Sequence, residues 1–165
     1  VTLTIPDNNV SCGNEVTVPV SVSGFTGLTG LTFSLSWDPA VFEFVPGSET
    51  SIITTSFNPT PADLATGNIG FAWVDIANLA GTTLADGTII AEIRLTLIGS
   101  GSSSDIGFGN QPVAITAFDQ NVSLVDVLPN SGTITLTTPC ATASPLQIDC
   151  PNDQIVTAIS NTASV

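Results

Sequence analysis

The chain has 165 residues, 42% of them apolar, with fourteen acids, Arg94 as the single base and a formal charge of −13. It lacks the clustered Lys and Arg that nucleic acid and anionic membrane surfaces require, and no run nears the ~18 apolar residues that cross a bilayer. With no His, Lys, Met or Tyr, it cannot build a Ser-His-Asp or Cys-His site, a Schiff base or a usual zinc site, and it reads as non-catalytic.

Period-two alternation with turn residues between segments runs through the chain, the pattern of an all-β sandwich. The opening strand VTLTI fits a processed start. In EVTVPVSVSG, Val16, Val18, Val20 and Val22 share one face, and Pro19, which has no N–H to give a ladder, places the strand at an edge or a bulge. In LTFSLSW, Leu31, Phe33, Leu35 and Trp37 point inward, and Asp38-Pro39 turns the chain into VFEFV. Ile69, Phe71 and Trp73 alternate next, before a loop through Asn78, Gly81 and Asp86-Gly87.

The strand TIIAEIRLTLIG places Ile89, Ala91, Ile93, Leu95 and Leu97 inward and Glu92, Arg94 and Thr96 on a solvated face. GSGSSS, 99 to 104, reads as a flexible connection, and PVAITAF, VSLVDV and GTITLTT complete the strands. No segment carries a helical stripe.

Taken in order, VTLTI, EVTVPVSVSGF, GLTGLTFSLSWDPAVFEFVPGS, GNIGFAWVD, LADGTIIAEIRLTLIG and AFDQNVSLVDVLPNSGTITL resemble a cohesin domain, the β-sandwich of cellulosome scaffolds and related surface proteins. The most specific stretch runs from Leu31 to Gly47, with its aromatic-Asp-Pro turn, Val-Phe-Glu strand and Pro-Gly turn. The resemblance implies an all-β jelly-roll sandwich of about nine strands over residues 1–138, its first and last strands adjacent and parallel. It also implies a flat sheet face that takes a calcium-loaded dockerin. Where the family often carries Asn and Asp entering the third strand, this chain has Gly30 and Thr32, so those hydrogen-bonding side chains are missing. Residues 139–165 form a C-terminal extension of one or two strands, in which PLQIDCPNDQIVTAIS resembles the opening of a hyalin-repeat (HYR) domain.

Three cysteines without a CxxC read as disulfide chemistry outside the cell. The parallel first and last strands that the resemblance implies would bring Cys12 near Cys140. Cys150 is then either a free thiol, a half-cystine whose mate lies in a missing domain, or a link to another chain. In the extension, Gln154, Ile155, Val156, Thr157, Ala158 and Ile159 are apolar enough to seek a host sheet. Strand addition to a neighbouring copy would make a head-to-tail filament; a stump of a second domain is the competing account.

Four acids, Asp75, Asp86, Asp119 and Asp126, lie in oxygen-rich stretches and are the candidate calcium ligands; no other cofactor is expected. Asp75 and Glu92 sit on candidate neighbouring strands, without the spacing of a glycosidase cleft. Trp37 and Trp73 fall on apolar faces, which favours core packing over sugar stacking. Asn9-Val10-Ser11 and Asn121-Val122-Ser123 match the N-glycosylation pattern. The expectation is a secreted, non-catalytic structural or adhesive protein that partners copies of itself. The alternative is a cohesin-type module of a multidomain surface protein, with a dockerin-like protein or a glycan as partner.

Overall fold

The computed structural model describes residues 1–53, 55–75, 78, 80–138 and 140. Their strands are β1 (Thr2–Thr4), β2 (Asn8–Ser11), β3 (Glu15–Ser23), β4 (Leu28–Ser36), β5 (Phe42–Phe44), β6 (Thr50–Ser51), β7 (Thr55–Asn58), β8 (Asn68–Val74), β9 (Thr88–Leu97), β10 (Ser103–Gly109), β11 (Thr116–Asp119), β12 (Leu124–Val125), β13 (Leu128–Asn130) and β14 (Gly132–Thr138). Several of the nine expected strands are thus broken into shorter pieces. A single helical turn, α1 (Pro61–Ala65), starts at Thr60, whose hydroxyl accepts from the Asp63 N–H. It is too short to show a stripe.

Two sheets face each other, as in a jelly roll. The first has the order β13-β1-β3-β9-β5, with β6 also on β9; the second carries β7, β8 and β4 side by side. The far side of β4 is shared: β10 pairs with Ser34–Ser36 and β11 with Leu28–Thr32. Strand β10 leads on to β14 and β2, and β11 to β12.

The terminal strands tie the layers together. Strand β1 lies in the first sheet, the chain crosses at Ile5-Pro6-Asp7, and β2 lies in the second. Strands β13 and β14 cross in the same way at Ser131, pairing in parallel with β1 and β2 respectively. At this crossing a Cβ on Gly132 would stand 2.6 Å from the Pro6 carbonyl oxygen and 2.7 Å from that of Ile5. Only glycine lets the two backbones pass so closely.

The core follows the alternation. Val16, Val18, Val20 and Val22 are buried, opposite Leu31, Phe33, Leu35 and Trp37 and beside Ile69, Phe71 and Trp73. Phe33 and Phe71, directly paired across β4 and β8, stack with ring centroids 4.3 Å apart.

Several readings of the strands need correction. Ile89 is 42% exposed, whereas Ile90 is fully buried. The ladder pairs Val20 with Ala91 and Ser21 with Ile89, so Ile90 is the extra residue of a β-bulge and period two breaks there. Strand β3 is interior, between β1 and β9, so of the two readings of Pro19 the edge fails and the bulge holds, the β3–β9 register shifting between Val20 and Ser21; β1 pairs only with Ser21–Ser23. Pro19 therefore lies beyond the end of β1, where no ladder partner asks for its missing N–H. Ser103 and Ser104, placed in the flexible connection, already belong to β10. Arg94 does lie on a solvated face, 2.5 Å from Glu15, in an exposed pair worth at most ~1 kcal/mol.

Cys12 and Cys140 are joined by a disulfide, with Cα atoms 4.8 Å apart and a sequence separation of 128. It closes the end of the β2–β14 pair, where the Cys12 N–H also donates to the Thr138 carbonyl at 2.7 Å. Replacing both cysteines by Ser is expected to lower the urea-unfolding free energy by about 2–5 kcal/mol, with the fold retained by circular dichroism. An unchanged midpoint would show that the staple adds nothing to the strand pairing.

Candidate functional site

The outer face of the second sheet carries small side chains. Alternation that sends Leu31, Phe33 and Leu35 inward leaves Gly30, Thr32 and Ser34 outward on β4. By the same rule, Gly70, Ala72 and Val74 face outward on β8, and Thr116 and Phe118 on β11.

Half of this face is covered by the chain's own backbone. Residues 110–115, between β10 and β11, fold over Ser34 and Gly70 as a strap. The Ser34 hydroxyl, fully buried, donates to the Val113 carbonyl at 2.7 Å and accepts from the Val113 N–H at 2.9 Å. A Cβ on Gly70 would stand 2.9 Å from Pro112 Cγ, so the strap needs glycine beneath it.

The other half is open and apolar. Thr29, Gly30, Val74, Asp75, Phe118 and Val122 line a concavity of about 350 Å³ there, together with Gln120. Thr29 is passed over in the register, since Gly30 pairs with Phe118 and Leu28 with Asp119. This bulge presents Thr29 and Gly30 together to the concavity. Gly30 makes the floor: its missing Cβ would stand 3.6 Å from the Phe118 ring. Val74 and Val122, at 62% and 77% exposure, form the rim. The hydroxyls nearby are turned to the chain itself: Thr29 donates to the Asp119 carbonyl at 2.7 Å and Thr32 to that of Ala114 at 2.7 Å. What the face offers a visitor is aliphatic and aromatic surface, with carboxylates beside it.

Val122 sits at the tip of the β11–β12 turn with φ 61°, a left-handed conformation that costs a β-branched residue ~1–2 kcal/mol. Asp119 organises the turn, accepting the N–H groups of Asn121 at 2.8 Å and Ser123 at 2.9 Å. The Ser123 N–H, the largest influence, holds its carboxyl below the ordinary aspartate value; desolvation opposes it, and the Asn121 backbone and side chain add to the lowering.

The four acids considered for calcium are not gathered. Asp75 accepts the Asn78 N–H and the Thr82 hydroxyl, and Asp86 accepts the Gly24 N–H. Asp119 caps its own turn, and Asp126 lends its backbone carbonyl to the Val1 amino group at 2.8 Å. Among the described residues no three His, Cys, Asp or Glu side chains group as metal ligands. Nor are Asp75 and Glu92 on neighbouring strands: Asp75 follows β8 in the second sheet and Glu92 lies on β9 in the first. Trp37 and Trp73 are 5% and 4% exposed, so neither offers a ring to a sugar. Asn9 lies exposed in β2 and Asn121 exposed in the β11–β12 turn. Cys150 and Gln154 to Ile159 lie outside the described residues.

Sequence reading missed Phe118, Val74 and Val122 as site residues. One signal was present: if Ile69, Phe71 and Trp73 point inward, Val74 is a large apolar residue on the outward side. Phe118 gave none, because Ala117 and Phe118 are both apolar and only the register shows which faces out.

The chain belongs to the cohesin family: the family model described as Cohesin domain matches residues 1–136. Cohesin domains are non-catalytic binding modules of multidomain proteins. Among solved structures it is similar to the sixth cohesin of scaffoldin B from Acetivibrio cellulolyticus, solved in complex with a Cel5 dockerin. That likeness is at 20% identity, 82% of this chain and 97% of the other, with a TM-score of 0.65. A cohesin of Clostridium acetobutylicum matches at 18% identity over 82% of this chain and 90% of its own, with a TM-score of 0.64. A non-cellulosomal cohesin of the archaeon Archaeoglobus fulgidus matches at 16% identity over 83% and 91%, with a TM-score of 0.65. No curated protein matches the sequence.

Two outcomes are expected. Ser34→Val removes both hydrogen bonds to Val113 and is expected to cost about 1–3 kcal/mol in denaturant unfolding, with amide shifts changed along residues 110–115. A silent substitution would mean the strap is held by packing alone. For Asp119, a folded-state value below the unfolded one means the turn's added stability is present above the ordinary carboxylate range and lost as pH falls through the folded value. The Asn121 and Ser123 amide resonances should therefore titrate with a midpoint below that of an ordinary aspartate; a midpoint at or above the ordinary value would remove Asp119 as organiser of the turn.

Proposed function

We propose that this chain is a protein-docking module, and that its partner is a dockerin-like domain seated on the open half of the second sheet. The observation that carries this reading is the concavity of Gly30, Val74, Phe118 and Val122 on a flat face of small side chains. Apolar surface of that kind, rimmed by polar groups, marks interaction sites. The dockerin complex of the scaffoldin B cohesin supports the class of partner. With Gly30 and Thr32 at the entry of β4, recognition here relies on an apolar anchor in place of side-chain hydrogen bonds. The acidic surface favours a partner bearing Lys or Arg, which speeds encounter more than it tightens the complex.

The Cys12–Cys140 disulfide supports a secreted or cell-surface setting, since such bonds persist in oxidising compartments. Among the described residues, no helix is long and apolar enough to cross a membrane. The head-to-tail reading rests wholly on residues 141–165, outside the described ones, and no described residue favours it. A glycan partner loses its platform with both Trp rings buried.

Calorimetric titration of the chain with a panel of calcium-loaded dockerin domains tests the proposal. Val74→Asp is expected to weaken any complex about 30-fold or more, the ~2 kcal/mol of an interface anchor. Binding that ignores both Val74→Asp and Val122→Asp, or a panel without a single binder, would overturn it.

A further inference from the structure

Two stretches of this chain match the Asn-X-Ser acceptor pattern for N-linked sugar, and each also has an aspartate two residues before the asparagine. They are Asp7-Asn8-Asn9-Val10-Ser11 and Asp119-Gln120-Asn121-Val122-Ser123. The structure separates them. In the first, all three functional residues are bound into β14: Asp7 accepts the Thr133 N–H at 2.8 Å, Asn9 pairs with Thr135, and the Ser11 hydroxyl meets that of Thr137 at 2.8 Å. The Cys12–Cys140 bond then seals that pair of strands. Exposing this stretch to a transferase groove means taking apart the terminal strand pairing.

In the second, Asn121 and Ser123 hydrogen-bond within their own turn, on the Asp119 carboxylate, and only Asp119 reaches beyond it, pairing with Leu28 of β4 and accepting from the Thr29 hydroxyl. The turn is closed by a strand of two residues, with only Ala117–Val125 and Phe118–Leu124 paired. Strand β12 ends its sheet, Leu124 is 73% exposed, and Val122 is already in a left-handed strained conformation. Such a turn opens locally without disturbing the core.

We propose that Asn121, and not Asn9, is an N-glycosylation site of the folded protein, with a polyprenyl-diphosphate-linked oligosaccharide as donor. The Asn121 Nδ2 forms a bond to the anomeric carbon as the bond from that carbon to the diphosphate oxygen breaks. The diphosphate leaves with the electron pair, and one amide proton passes to the transferase base. Gln120 and Val122, the neighbours of Asn121, both line the apolar concavity. A glycan there stands at the mouth of the docking face and hinders the partner, a consequence that rests on the docking function proposed above.

The test uses the folded, disulfide-intact chain with a purified single-subunit bacterial oligosaccharyltransferase and undecaprenyl-diphosphate-linked oligosaccharide, read by intact mass. A synthetic peptide of residues 117–125 serves as the control for acceptance of the sequence. One glycan is expected on the wild-type chain, lost in Asn121→Gln and in Ser123→Ala and kept in Asn9→Gln. A peptide that is modified while the folded chain is not, or a glycan on Asn9, overturns the assignment. If glycosylated and unmodified chains bind the same dockerin equally well, the hindrance is overturned and the site stands. If no dockerin binds even the unmodified chain, the docking reading fails and the mass result still decides the site.

Discussion

The parallel pairing of the two ends of the domain is the constraint on which the rest of the sandwich depends. Strands β1 and β2 belong to different sheets, as do β13 and β14, so each pairing holds one layer and the shared crossing holds both. Pairing strands so far apart in sequence carries a large loop-closure cost. The disulfide across 128 residues acts on that same term, because it removes from the unfolded chain the freedom that the pairing would otherwise have to overcome. The crossing also demands a close approach of backbones, which is why Gly132 stands against Ile5 and Pro6.

With the ends so fixed, the second sheet is free to present its outer face. Two local devices shape it. The strap pinned by Ser34 covers one half, and the bulge at Thr29 with the missing side chain of Gly30 hollows the other. The hydroxyls that border the hollow are spent on neighbouring carbonyls, so its character is set by Val74, Phe118 and Val122. A solvated carboxylate surface around an apolar hollow suits a transient protein contact, where charge governs encounter and the buried anchor governs residence.

Much of the fold was legible in the chain, and the failures have local causes. Alternation identified the inward residues of β3, β4 and β8 because the large buried apolar side chains it named lie on one face of each strand. It failed at Ile89 and Ile90, since a bulge is a property of two strands and neither sequence shows it alone. Of its two readings of Pro19, an edge or a bulge, the bulge holds, one residue on in the β3–β9 ladder, while the strand as a whole is interior. The site was less legible. Gly30 stood out against the family pattern as a loss of hydrogen bonding, yet its meaning as the floor of a hollow depends on Phe118, eighty-eight positions later.

By itself, the sequence determined the all-β class, the faces of the regular strands and the absence of His- and Lys-based chemistry. These follow from residue type and period, which need no partner to be read. Tertiary structure alone decided which acids stand apart, which of two identical acceptor patterns is locked in a sheet and which lies in an edge turn, and where the apolar hollow forms. Each of those is a relation between segments distant in the chain, and distance in space is set by strand register and crossing, not by composition.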